Sequence, residues 1–228
     1  MSYTLTLAQI RTAAQRRSDM VNSQFVSTAE WTEIINRNLG RFYDILTETH
    51  PHEFYEGTSS ITTTSGVSTY SLPSDFYRIL MVEYISGNYR FPVEPFNRYT
   101  RPFLTRYAVP AGRQFTVYYV PRMTVLANDS DTFDFIQPGW DDYVIAGSAA
   151  DALQKEESDN GPQRAVQEEA RQRIVKLSNK RNDGLPDVIP NVSRRNFSYA
   201  PMMPQEAPAY MLRGNQIEIL FADFYGAL

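Results

Sequence analysis

The chain has no cysteine in 228 residues. That excludes disulfides, thiol nucleophiles and thiolate metal sites. Histidine is almost as scarce, with only His50 and His52, flanking Pro51. No G-x-S-x-G elbow and no glycine-rich phosphate loop accompanies them, which argues against a Ser-His-Asp hydrolase or a nucleotide-binding enzyme. Long apolar runs are also lacking. The opening MSYTLTLAQIRTAAQRR has none of the length a secretory leader needs, and no later stretch could span a bilayer. Positive charge is not in excess: 22 Lys and Arg stand against 26 Asp and Glu, a net charge of −4. A protein that grips nucleic acid through its phosphates is normally basic. These absences predict a protein with no enzymatic chemistry, no cofactor, no metal and no membrane contact, made in a cytoplasm.

What is present is apolar and aromatic. Hydrophobic residues make up 42% and aromatics 13%, with Tyr 15 and Phe 13. That is enough for a sizeable core. Tyrosine joins an apolar ring to a polar tip, so this richness fits either a tyrosine-rich β core or subunit contacts.

Periodicity divides the chain into four segments. Residues 1–56 read as the first half of an antiparallel four-helix bundle. One helix runs from about Thr6 to Arg17, with Leu7, Ile10 and Ala14 on one face. A second follows Ser27, whose spacing to Glu30 is a capping box, and carries Trp31, Ile34, Ile35, Leu39, Phe42 and Leu46 before Pro51 ends it. Residues 57–134 read as an inserted antiparallel β module. ITTTSGVSTYSL suggests two short strands around Ser65-Gly66, and Arg78 to Ser86 a longer one with a turn at Gly87-Asn88. RQFTVYYV places Phe115, Val117 and Tyr119 on one face.

Residues 135–184 read as the second half of the bundle. A third helix is expected from near Pro138 to about Glu157, and a fourth opens at Pro162. The third is acid-rich (Asp141, Asp142, Asp151, Glu156, Glu157) and the fourth base-rich (Arg164, Arg171, Arg173, Lys176, Lys180, Arg181). The two faces can complement each other within a hairpin, or acidic and basic surfaces of successive subunits can meet in a ring. Residues 185–228 read as an extended, proline-rich C-terminal arm ending in a strand, with Ile217, Ile219 and Phe221 alternating. Phe197, Tyr199, Met202 and Met203, beside Arg194 and Arg195, suit an arm that docks in a partner's pockets better than a free linker. Two arginines are too few for strong nucleic-acid binding. The fold class is therefore α+β.

Two motifs resemble metal sites only superficially. Pro51 prevents His50, His52 and Glu53 from sharing a helix face, so His50 reads as a helix-end cap. Asn128 to Asp134 has alternating acids but no EF-hand Gly or terminal Glu, and reads as a solvated loop entering the third helix, or a loose divalent-cation loop.

The order of these pieces goes with particular residues: Thr28-Ala29-Glu30-Trp31 opening the second helix, Tyr70-Ser71-Leu72-Pro73-Ser74-Asp75-Phe76 leading into Arg78-Ile79-Leu80, and Tyr118-Tyr119-Val120-Pro121 closing a strand. Over roughly residues 4 to 181 the combination resembles the head-to-tail adaptor, or head-completion, proteins of tailed bacteriophages. The resemblance implies a virion protein at the head-tail junction, forming a twelve-subunit homo-oligomeric ring that docks on the portal protein. It also implies attachment of a tail or nozzle protein and DNA passing through the channel without sequence-specific binding. The portal contact would fall to the arm residues Arg194, Arg195, Phe197, Tyr199, Met202 and Met203. The alternative is a nucleic-acid-binding virion protein acting on packaged DNA. One departure stands out. The family's Tyr…Gly…Ile…Ile strand is missing from LTRYAVPAGRQF, and a similar piece lies at Tyr210 to Ile219. That displaced strand would add to the β module of its own or a neighbouring subunit, or form a separate hairpin on a tail partner.

Overall fold

The structure is a computed structural model that describes residues 3–21, 23–49, 55–95, 110–180 and 206–223. It is α+β, with four helices and mostly antiparallel sheets among these residues. Chain contacts separate it into two compact units, Met1–His50 with Met123–Leu185 and Pro51–Arg122 with Pro186–Leu228.

The first unit is helical. Strand β1 (Thr4–Thr6) leads directly into α1 (Leu7–Arg17). Thr6 caps α1 through a capping box with Gln9, each side chain satisfying the other's backbone N–H. Helix α2 (Thr28–Thr49) starts with the same device: the Glu30 N–H donates to Ser27 Oγ at 3.3 Å and the Ser27 N–H to Glu30 Oε2 at 2.8 Å. Its buried stripe is the expected one, with Asn38, Tyr43 and Thr47 added. The chain returns from the β excursion through β8 (Thr132–Asp134), which pairs antiparallel with β1. Residues 123–134 thus go with the helices, and the expected module boundary at 134 moves to 122. Helix α3 (Asp141–Lys155) begins later than Pro138 suggests. Gly139 takes φ +85° in a turn, its N–H donating to Asp141 Oδ1, so the helix starts after Trp140. Helix α4 (Gly161–Lys180) holds Pro162 in its first turn. Helix α3 packs against each of the other three helices.

A buried polar network ties α2, α3 and α4 together. Asn38 donates to Asp151 Oδ2 at 2.9 Å and accepts from Gln167 and Arg41 at 3.3 Å. Arg164 reaches the other Asp151 oxygen at 2.5 Å and Gln167 Oε1 at 2.9 Å. Gly147 of α3 is the floor of this network, because a Cβ there would collide with the Gln167 and Asn38 amides.

The second unit is two four-stranded sheets closing on one hydrophobic core. One sheet has the order β2 (Gly57–Thr62), β7 (Gln114–Pro121), β4 (Phe76–Ser86), β5 (Tyr89–Pro92). The other has the order β3 (Thr69–Ser71), β10 (Gln216–Asp223), β9 (Glu206–Arg213), β6 (Glu94–Pro95). All pairings are antiparallel except β6 with β9. The two strands flanking Ser65-Gly66 do not form a hairpin with each other. Instead, β2 pairs with β7, and β3 crosses to the opposite sheet to pair with β10.

Substituting Gly147 with Ala forces the Asn38–Gln167 contact apart. It is expected to cost about 2–3 kcal/mol, seen as a lower denaturant midpoint with unchanged m-value.

Candidate functional site

The outward face of the β2-β7-β4-β5 sheet is built by an interrupted alternation in β4. Register shifts between Phe76 and Arg78 and between Ile79 and Met81 each insert one residue. The inward positions therefore run Phe76, Ile79, Val82, Tyr84; three are buried in the core and Ile79 packs against it. The bulges leave Tyr77 and Met81 exposed, at 52% and 36%. Gly87, at φ +60°, makes the β4–β5 turn, and Tyr89 beyond it is 61% exposed.

In the same sheet, Glu83, Tyr118 and Arg90 come together from three strands. The Tyr118 hydroxyl donates to Glu83 Oε2 at 2.9 Å, and Arg90 Nη1 lies 3.2 Å from both that carboxylate oxygen and the hydroxyl. The hydrogen bond to Glu83 holds the Tyr118 phenol above its ordinary range, as does partial loss of solvent. The Arg90 guanidinium is held above its usual range chiefly by its hydrogen bond to Glu83. All three side chains are already partnered, and the triad offers no nucleophile or free base. These bonds fix the polar tip of the Tyr118 ring on the outward side of the sheet.

Ile217 and Ile219 lie in β10 and are fully buried in the core between the sheets. Ile217 stands opposite Tyr70 of β3 and Leu212 of β9, across a hairpin that turns at Gly214 with φ +58°. Phe221 is opposite Pro208 in the ladder. In this chain the displaced strand pairs within its own β unit. Arg194, Arg195, Phe197, Tyr199, Met202 and Met203 fall outside the described residues, as do His50, Pro51, His52 and Glu53.

The aspartate loop spends its carboxylates inside the chain. Asp131 Oδ2 accepts from the Ala127 and Asn128 N–H groups at 2.8 Å, and those bonds hold its carboxyl below the usual range. Asp129 pairs with Arg11 at 2.8 Å, which likewise lowers it. The loop carbonyls of Asp131 and Asp129 accept from Leu7 and Ala8, the free N–H groups that open α1. Among the described residues no group of three or more His, Cys, Asp and Glu is placed to hold a metal ion. No helix among them is long and apolar enough to cross a membrane.

The helical unit exposes apolar side chains in the connection between its first two helices. Phe25 and Val21 stand about half exposed in the α1–α2 connection. Lys155 lies 5.2 Å over the Phe25 ring and bonds Glu30 Oε1 at 2.6 Å. The bond from Lys155, then those from the Ser27 N–H and hydroxyl, lower the Glu30 carboxyl to about 2. Between α3 and α4 the opposed charges meet at Asp151–Arg164, while Asp142 takes Arg17 of α1.

Sequence reading missed the Glu83–Arg90–Tyr118 triad and the Asn38 network. Asn38 left a trace: it is a polar residue at a helical spacing otherwise filled by buried apolar ones. The triad left none, because its register depends on the β4 bulges.

A family model described as SU10 adaptor protein matches residues 5–190. No curated protein matches the chain.

Replacing Glu83 with Gln removes the acceptor charge, and the Tyr118 phenol is expected to titrate closer to 10.0. Chemical shifts of ring-labelled tyrosine against pH read this directly. Glu30 gives a second expectation. Its folded pKa lies below its unfolded value of 4.5, so its stabilisation is full above 4.5 and is lost as pH falls through about 2. The melting-temperature gap between wild type and E30Q should therefore be widest near neutrality and narrow across that window.

Proposed function

The chain belongs to the SU10 adaptor protein family, a family of phage head-tail adaptors, and on that footing we propose that it works as a ring-forming subunit between portal and tail. The family match over most of the chain carries this reading. In it, the four helices act as an antiparallel bundle that gives each subunit a stiff body. Copies close into a twelve-subunit ring around the DNA channel, and the DNA passes without sequence-specific contact. The role is structural, with no reaction catalysed.

Two surfaces divide the remaining work. The segment carrying Arg194, Arg195, Phe197, Tyr199, Met202 and Met203 docks on the portal protein, through the arginine and aromatic anchors that dominate interfaces. The bulged sheet face with Tyr77, Met81 and the Glu83–Arg90–Tyr118 triad meets the tail or nozzle protein. What favours that face is its exposed aromatic area on a rigid sheet.

Native mass measurement of the chain, alone and with its portal protein, tests the reading. The expected result is a multi-subunit species bound to the portal. The triple variant R194A/R195A/F197A is expected to bind the portal about tenfold or more weakly with an unchanged melting temperature. A permanent monomer with no portal binding would overturn the adaptor role, and salt-sensitive DNA binding by that monomer would favour the nucleic-acid reading instead.

A further inference from the structure

Along the solvent side of α2, three features run against the interests of an isolated helix. Gly40 sits in the helix interior, where glycine is unfavourable relative to alanine, yet among the described residues nothing lies within 4 Å of where its Cβ would stand. One turn on, Asp44 and Glu48 are both exposed and stand four residues apart, a like-charged pair. Both lie in the C-terminal half of the helix, which has no basic residue in its last turn, so the acids face the negative end of the dipole. Among the described residues neither has a cationic partner. Arg41, the nearest base, is turned towards Asp151 and Asn38.

Helix α4 carries the complement. Arg173, Lys176 and Leu177 share one exposed arc, with Leu177 a large apolar side chain 40% exposed. Among the described residues no carboxylate pairs with Arg173 or Lys176. The Arg173 guanidinium lies beside Gly139, in the turn before α3, so this arc looks to a different side of the helical unit from the Arg164 and Gln167 contacts with α2.

We infer that the α2 stripe of one copy receives the α4 arc of a second copy, Leu177 filling the space open over Gly40 while Arg173 and Lys176 face Asp44 and Glu48. The inference rests on the ring reading above and names the surfaces that meet in it. The pair gives these features a use: the glycine admits a close neighbour, and the acids gain cations. The two surfaces differ, so the contact is head-to-tail. Such a contact repeats from copy to copy and closes into a ring if the rotation between neighbours allows.

The absence of native cysteine makes the contact directly testable on the full chain. Under mild oxidation, a mixture of the G40C and L177C proteins is expected to give a covalent dimer. Neither variant alone should, and the double variant G40C/L177C should give a ladder of covalent multimers. The reversal D44K/E48K is expected to weaken self-association about tenfold or more without lowering the melting temperature, and adding R173E/K176E to it should restore assembly. Self-linking of G40C alone would overturn the inference, because it means a symmetric contact. Multimers by native mass with no cross-link would overturn it while leaving the ring intact. A chain that stays monomeric with and without portal, and never cross-links, would overturn both.

Discussion

The Phe42 ring holds the point to which the chain must return after its β excursion. The chain leaves the helical unit after Thr49 and comes back near residue 123, and closing so long a loop costs entropy that local structure cannot recover. Phe42 is fully buried, and Phe133, Phe135, Trp140 and Tyr143 stand around it at centroid distances of 5.5 to 6.3 Å, with Phe133 and Phe135 5.0 Å from each other. Burying such a ring contributes about 3 kcal/mol, and edge-on partners add to it. Asn36 sets the register of the return: its side-chain amide exchanges two hydrogen bonds with the Leu126 backbone, at 2.8 and 2.9 Å. With the return fixed, β8 meets β1, the aspartate loop meets the start of α1, and α3 is launched against all three other helices.

Two kinds of cohesion then divide the protein. The helices are aligned by a polar lattice in which Asp151 is shared by Asn38, Arg41 and Arg164. Removing one member leaves the buried Asp151 and Asn38 underpaired, so the lattice specifies one packing more than it adds stability. The β unit relies on a hydrophobic core of aromatic and branched aliphatic side chains instead. In it Tyr119 packs on Phe76 at 5.9 Å and covers Gly57 so closely that a side chain there would strike the ring.

Much of the local structure could be read from the residues. The Ser27–Glu30 box, the apolar stripe of α2, the turn at Gly87 and the alternation of Phe115, Val117 and Tyr119 are short-range patterns, and short-range physics sets them. The long-range matters were not legible. Nothing in Thr69-Tyr70-Ser71 says that its partner is Gln216-Ile217-Glu218 rather than the strand just before it. The two insertions in β4 shift which residues face out, and Tyr77, Met81 and the Glu83 triad follow from that shift. Pro138 misled because proline suits both a helix start and the turn before one, and Gly139 decided for the turn.

The crossing of β3 to β10 also sets an order of events in synthesis. Every helix and all but two of the described strands have been translated before residues 206–223 exist. Until then β3 has no ladder partner, and the core face of the first sheet, with Phe115, Val117 and Tyr84, has no opposite wall from Ile217 and Ile219. The helical unit can settle early, because its last helix ends at Lys180. The β unit cannot, so it matures last, after the helical unit is complete.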